Sequence, residues 1–368
     1  LESLYNARSG RYKAIDVTNP LSVKTPVPLE IIDSAKERKR GRITGDFPDC
    51  ILEQIRETTL RGEQVLVYLN RRAYSPGVQC IYCGDVPFCP ECNIPYSFHK
   101  TSGELKCHYC GGTLQFSTIC TRCGKPGLKE KGTGTEKVEE TLRRIIPGAV
   151  VSRMDQDTAG KKSSLEKILK EFKNHKADIL VGTRMIRRGR AFRGVSLVCI
   201  LRAESMLSVQ DFRSAERALQ EIDQLSGLID CKRENGKVLI ETSRAADPFF
   251  AALASLPPAE RVKRILENEL REREEYEWPP FTRLIRITLK SHSQEKLEKL
   301  TRMVEKRSAF WSVKETGGPF APFNEMVRGE HHIQFLLTLK RNRSLERIKE
   351  EIFKDLTECA RESSSSVR

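Results

Sequence analysis

Apolar positions along this chain follow two different periods. Short unbroken apolar runs, "QVLVYLN" (64–70), "VVSRMD" (150–155), "DILVGT" (178–183), "VSLVCIL" (195–201) and "KVLIET" (237–242), predict strands of a mostly parallel sheet, since a strand covered on both faces has no polar side. Between them the apolar residues recur at helical spacing. Val138, Leu142 and Ile145 follow a capping box read at "TGTE"; Leu165, Ile168, Leu169 and Phe172 follow another at "SSLE"; Phe212, Ala215, Leu219 and Ile222 form a third stripe. The alternation predicts an α/β lobe over residues 61–79 and 124–246, interrupted after its first strand by residues 80–123.

From about Asp247 the pattern changes. Strand-like "FTRLIRITLK" and "HHIQFLLTLK" are each followed by an amphipathic helix, one carrying Leu297, Leu300 and Val304 and the other Leu345, Ile348, Ile352 and Leu356. Residues 247–368 therefore read as a small α+β domain, joined by the charged helical stretch "PAERVKRILENELREREEYEWPPF", with "RESSSSVR" as a disordered end. Residues 1–60 read as a linker.

Composition adds a partner and a compartment. With 38% hydrophobic and 31% charged residues the chain reads as soluble, and no apolar run approaches the roughly 20 residues that span a bilayer. The opening residues lack the basic and apolar regions of a secretory signal, so a cytoplasmic location is expected and no membrane partner. A formal net charge of +14 favours a polyanion such as nucleic acid. Part of that charge is local: Arg184, Arg187, Arg188, Arg190, Arg193 and Arg202 occur with no acid between Ile179 and Ala203. The first five of these arginines are candidate DNA contacts, against the alternative of a solvated surface loop.

The cysteines carry the sharpest chemical signal. Of 12 in the chain, four C-x-x-C pairs fall within residues 80–123: Cys80 and Cys83, Cys89 and Cys92, Cys107 and Cys110, Cys120 and Cys123. Each pair can fold as a knuckle that aims two thiolates at one ion, and two knuckles complete a tetrahedral site, so two zinc ions are implied. Gly84, Asn93, Gly111 and Gly124 follow the pairs, as tight knuckles at positive φ require. Disulfides would need an oxidising compartment, and a redox C-x-x-C normally occurs once. Such closed zinc sites fold a module and perform no catalysis. Spacing does not decide which knuckles share an ion: joining neighbours closes loops of 5 and 9 residues, nesting closes an inner loop of 14, and loop entropy separates 5 from 14 by only about 0.9 kcal/mol. Cys50, Cys199, Cys231 and Cys359 are scattered and read as core or surface positions.

The order "QVLVYLNRRAY", four C-x-x-C pairs, "GTGTEKVEETL", "SRMDQDT", "ILVGTRMI", "DFRSAER" and "WPPFTRL" resembles the primosomal protein N′ (PriA) family of bacterial replication-restart helicases. The resemblance implies that the α/β part is the second RecA-like lobe of a superfamily 2, 3′-to-5′ DNA helicase, carrying an inserted two-zinc module and followed by a small α+β C-terminal domain of DNA-binding type. It implies nested knuckles, with Cys80, Cys83, Cys120 and Cys123 on one zinc and Cys89, Cys92, Cys107 and Cys110 on the other. DNA forks, single-stranded DNA and primosome and replication proteins are the implied partners, and ATP with Mg²⁺ the family's further cofactors. The opening "LESLYNA" resembles a segment just after a first-lobe motif of that family, so residues 1–60 are expected to be a remnant or linker placed after that lobe.

Departures from the family bear on ATP. No G-x-x-x-x-G-K-[ST] occurs; "GKKS" (160–163) lacks the upstream glycine and has lysine where Ser or Thr belongs. The family's Gly-Arg-x-Gly-Arg is represented by Gly227, Leu228, Ile229, Asp230 and Cys231, a degenerate ATPase motif without the two arginines that stabilise phosphoryl transfer. "RRGRAFRGV" departs from a lysine-glycine-histidine-phenylalanine pattern, and Arg202 stands where an aspartate is expected. The expected activity is zinc-dependent binding of DNA and primosome proteins without ATPase activity by this chain alone. The alternatives are a catalytically inert zinc-dependent protein-interaction module and a decaying copy.

Overall fold

In a computed structural model of the chain, the described residues are 1–15, 27–70, 78–92, 95–99, 103–107, 110–130, 134–155, 162–188, 192–207, 211–230, 235–322, 325–341, 345–363 and 366–367. They form two compact units. One comprises Leu1, Gly10–Ala73 and Thr133–Arg271; the other comprises Glu2–Ser9, Tyr74–Gly132 and Glu272–Arg368.

The first unit is built on a six-stranded, all-parallel sheet. Its strands are β1 (Leu29–Asp33), β2 (Gln64–Leu69), β3 (Val151–Met154), β4 (Ile179–Gly182), β5 (Val195–Leu201) and β6 (Lys237–Thr242), in the order β1-β6-β5-β2-β4-β3. The unbroken apolar runs have the expected cause, because alternate residues of each strand enter different cores. Leu66, Tyr68, Leu180, Val198, Ile200, Val238 and Ile240 pack on one face; Val65, Val67, Ile179, Val181, Leu197, Cys199 and Leu239 pack on the other.

Helices α1 (Asp49–Leu60) and α2 (Thr135–Ile145) cover the second face through Ile51, Leu52 and Ile55 and through Val138 and Leu142. Helices α3 (Lys162–Lys173), α4 (Ser214–Ser226) and α5 (Pro248–Ser255) cover the first, with Phe172, Ala218, Leu219, Ile222, Leu225, Phe249 and Phe250 buried there. The capping boxes differ from expectation. The N-cap of α2 is Gly134, with no side-chain cap bond, and the Thr135 hydroxyl instead donates to Asp155 Oδ2 at 2.5 Å. Helix α3 starts at Lys162, which puts Ser163 inside the helix rather than at its cap.

Residues 1–60 hold more than a linker. Strand β1 extends the sheet beside β6, and α1 lies over its second face. A first short helix, Glu2–Arg8, belongs to the second unit, where Tyr5 meets Phe281 edge-on at 5.1 Å and Asn6 Oδ1 accepts from Arg341 Nη2 at 3.3 Å.

The charged helix α6 (Pro258–Glu275) belongs to the first unit as far as Arg271, with Ile265 in its core. In the second unit the strands β7 (Thr282–Ser291), β8 (Glu315–Phe320), β9 (Met326–Val327) and β10 (Glu330–Lys340) form an antiparallel sheet packed on α7 (Gln294–Ser308) and α8 (Leu345–Ser363). Leu297, Leu300 and Val304 of α7 and Ile352, Leu356 and Cys359 of α8 fill the core against Ile287, Leu289, Phe335, Leu337 and Leu339. The "RESSSSVR" end is not wholly irregular: α8 runs to Ser363, and Ser366–Val367 pairs antiparallel with Leu289 and Lys290. Among the described residues no helix is long and apolar enough to cross a membrane.

Candidate metal centres and loops of the parallel lobe

The four C-x-x-C pairs gather into two groups, and the knuckles nest. Cys80, Cys83, Cys120 and Cys123 form the outer group and Cys89, Cys92, Cys107 and Cys110 the inner, with the sulfurs of each group within 4.8 Å of one another. A short pairing of Val78–Cys80 with Leu128–Glu130 closes the outer loop, and a three-stranded meander, Ser97–His99, Glu104–Lys106 and Thr113–Gln115, lies inside it.

Three knuckles repeat one geometry. Gly84, Gly111 and Gly124, at φ 74°, 81° and 70°, donate their N–H groups to the carbonyls of Cys80, Cys107 and Cys120 at 2.8–2.9 Å. Those cysteines in turn donate to Asp85, Gly112 and Lys125 carbonyls at 2.8, 2.8 and 2.9 Å. The positive φ is what lets the chain reverse so tightly, and glycine adopts it without a Cβ clash. Asn93, expected to do the same for the fourth knuckle, lies outside the described residues.

The sulfur spacing tests the fit of zinc. Tetrahedral Zn–S bonds of about 2.3 Å put neighbouring sulfurs about 3.8 Å apart. The separations Cys80–Cys123, Cys83–Cys120 and Cys89–Cys110 are 3.7, 3.6 and 3.6 Å. Both groups are thus compatible with a zinc ion. The Gly112 N–H, 3.3 Å from Cys110 Sγ, holds that thiol below its usual range against the opposing effect of burial. Of the scattered cysteines, Cys199 and Cys359 are buried and Cys50 is exposed; burial pushes the Cys199 thiol far up, as befits an inert core residue. Cys231 lies outside the described residues.

The structure describes the side chains of Arg184, Arg193 and Arg202 from the arginine run. Arg184 opens a 3₁₀ turn, Arg184–Arg188, and its Nη2 lies 3.8 Å from Oε2 of Glu221 on α4. Glu221 is only 4% exposed and also accepts from the Tyr68 hydroxyl, so Arg184 is committed to a buried carboxylate. Arg193 is exposed. The side chains of Arg187, Arg188 and Arg190 lie outside the described residues. Arg202, at φ 54°, donates its backbone N–H to Glu241 Oε2 at 2.6 Å and sets its guanidinium 3.4 Å from Asp46. Burial raises the Glu241 carboxyl, while the Ser34 and Arg202 donors lower it.

The degenerate loop is packed. Gly227 caps α4 in ordinary right-handed conformation, and Leu228 and Ile229 are each 4% exposed in the core cluster that contains Leu225 and Phe192. The Leu228 carbonyl accepts from Phe192 N–H at 3.2 Å, and Asp230 N–H donates to the Val195 carbonyl at 2.9 Å. A charged network with no signal in the sequence lies across β3 and α2: Arg153 bridges Glu136, Glu139 and Asp155 at 3.0, 3.1 and 2.9 Å. The "TGTE" and "SRMD" segments supply most of the charges, but only the fold brings them together.

Two family models match the chain. The one described as "PriA DNA helicase Cys-rich region (CRR) domain" matches residues 89–113, and the one described as "Helicase conserved C-terminal domain" matches residues 132–227. Replication restart protein PriA of Bacillus subtilis (strain 168) is 35% identical over 310 residues, covering 84% of this chain and 38% of that protein. PriA of Chlamydia trachomatis serovar D is 36% identical over 289 residues, 78% of this chain and 38% of the relative. PriA of Haemophilus influenzae is 31% identical over 342 residues, 92% and 45% respectively. The chain spans less than half the length of these curated relatives. With the inner four-cysteine group inside the span that the Cys-rich model matches, part of the parallel α/β lobe inside the span that the helicase model matches, and this identity over most of its length, the chain belongs to the PriA replication-restart family.

Proposed function

We propose that this chain holds DNA, at forks or single strands, through a basic surface and a module folded by two zinc ions, and that it does not hydrolyse ATP by itself. The observation that carries the reading is the pair of nested sulfur groups at tetrahedral spacing. Cys80, Cys83, Cys120 and Cys123 would hold one ion and Cys89, Cys92, Cys107 and Cys110 the other. Zinc, when bound, cross-links the knuckles and stabilises a segment whose own apolar core is small.

The electrostatics support a phosphate backbone as the ligand. The net charge is +14, and α7 exposes Lys296, Lys299, Arg302 and Lys306 on the side opposite its buried Leu297, Leu300 and Val304. In the helicase lobe the phosphate-contacting positions we propose are Arg187, Arg188, Arg190 and Arg193, whereas Arg184 positions Glu221.

The ATPase part of the reading rests on the content of the loops. The sequence has no P-loop, and Leu228 turns into the core where the family resemblance puts an arginine. Leucine cannot provide the planar cationic fork that stabilises phosphoryl transfer. Primosome proteins are the proposed protein partners of the same module.

The test is fluorescence anisotropy of the zinc-loaded chain on a labelled DNA fork, titrated with salt. Each neutralised phosphate contributes about 0.9 to the slope of log affinity against log salt, so binding is expected to weaken steeply. Substituting Arg187, Arg188 and Arg190 together should lower that slope. Affinity that stays flat between low and moderate salt would refute DNA holding.

A further inference from the structure

We infer that the turn Arg328–Gly329 is a positioning element of the inner four-cysteine site, so that metal held there and the edge of the C-terminal sheet stabilise each other. The turn joins β9 to β10, and both its residues have positive φ, 54° and 75°, as a two-residue type I′ hairpin requires. In such a turn successive backbone N–H groups can converge on one concave side, where their dipoles favour negative charge. Here they face the second knuckle. Arg328 N–H points at Cys92 Sγ at 3.4 Å, and Gly329 N–H donates to the Glu91 carbonyl at 3.0 Å. Behind the turn, His292 Nδ1 sits 3.2 Å from the Gly329 carbonyl.

Two features make this a specific clasp. Cys92 is fully buried, and its amide donor comes from a residue 236 positions away, whereas the donor to Cys110, Gly112, is local to the module. Glycine suits position 329: its φ disfavours a side chain, and a Cβ would lie 3.2 Å from Glu91 Oε2, a tight contact that the glutamate would have to relieve. Four thiolates around one divalent cation leave excess negative charge, which an N–H dipole on one sulfur offsets. Donors of this kind orient metal ligands and are worth about 10- to 100-fold in metal affinity. By linkage, the metal must favour the docked turn by the same factor.

This inference rests on the inner group holding zinc, and the experiment separates the two. In the full zinc-loaded chain, metal content is measured first, then hydrogen exchange of the peptide covering residues 326–332, in the parent and in Cys107→Ser (inner group) and Cys83→Ser (outer group). The inner substitution is expected to speed exchange of the Arg328 and Gly329 amides by about tenfold or more, and the outer one to leave them unchanged. A companion measurement follows zinc release to a coloured chelator. Gly329→Val should speed release of one ion by about 10- to 100-fold and leave the other alone, while Arg328→Ala, which keeps the amide, should change neither. A zinc content unchanged by Cys107→Ser would overturn the inner site itself. Two bound zincs with turn exchange indifferent to Cys107→Ser would overturn the coupling alone.

Discussion

Replacing Leu228 by arginine restores the residue that the family resemblance puts at this position, and the structure gives that change a cost. Leu228 is 4% exposed, directly after α4, and shares a core with Ile222, Leu225, Ile229 and Phe192. Removing its side chain from that core forfeits about 2 kcal/mol of burial. An arginine left with its charge uncompensated in the same place costs about 3–5 kcal/mol. Its aliphatic stem can carry the guanidinium partway to water, which reduces the second contribution. The expected destabilisation of Leu228→Arg is therefore about 2–5 kcal/mol, bounded below by the burial loss. Leu228→Met conserves volume and apolarity and should cost less than about 1.5 kcal/mol.

The assay is native-state hydrogen exchange of the β5 amides, which report the lobe directly. A loss of about 2 kcal/mol speeds globally limited exchange about 30-fold. If Leu228→Arg exchanged no faster than Leu228→Met, the loop could turn an arginine outward. The claim that this position has become core would then be wrong.

Other outcomes rest on the same geometry. Arg153→Met should destabilise the lobe by about 3–5 kcal/mol, because it leaves buried Asp155 beside Glu136 and Glu139 without their shared cation; urea unfolding followed by circular dichroism checks it. Nesting makes a stoichiometric forecast: Cys83→Ser with Cys120→Ser strikes only the outer group and should leave one zinc by atomic absorption, whereas knuckles paired with their neighbours would lose both. The Glu241 carboxyl is raised by burial, so its protonated form contributes stability that is fully present below the unfolded value of about 4.3 and lost as pH rises through the folded value. Glu241→Gln should flatten the stability–pH curve above that point, and an unchanged slope in thermal melts across that range would contradict the assignment.

Much of the fold was legible because the sheet is covered on both sides. Five of its six strands announce themselves as apolar runs, and the helices between them show their buried stripes. Strand β1 did not, since "LEIID" mixes one exposed glutamate and a terminal aspartate into a five-residue edge strand that pairs only with β6. The strand at Ser366–Val367 was illegible for a simpler reason: its pairing with Leu289 and Lys290 uses backbone groups, which serine supplies as well as any residue. At the metal groups, spacing gave the ligand types but left the pairing open; the nesting became visible only with the strand pairing that closes the outer loop and the meander within it. The Arg328–Gly329 turn lies too far along the chain for any local pattern to link it to Cys92. The approach of Arg184 to Glu221 was equally illegible, because charge density says nothing about a buried partner.

Those substituted loops also bear on the choice between the proposed DNA-holding role and simple decay. Single substitutions typically cost about 0.5–3 kcal/mol against a total stability of about 5–15 kcal/mol, so an unconstrained copy exhausts its stability after a few of them. In this lobe the described substituted positions of the degenerate loop are packed. Leu228 and Ile229 fill core rather than strand a charge, and the Leu228 carbonyl and Asp230 amide find backbone partners. Gly194, at the end of the altered "RRGRAFRGV" loop, still leaves room where a Cβ would lie 2.4 Å from both Gln64 Oε1 and His175 Cε1. Eight cysteines still meet at tetrahedral spacing. The changes fall on positions that the family resemblance ties to nucleotide chemistry, while the positions that hold the lobe and the zinc module in shape remain consistent with one fold. That division fits the proposed DNA-holding role, which needs a rigid surface and no ATP hydrolysis.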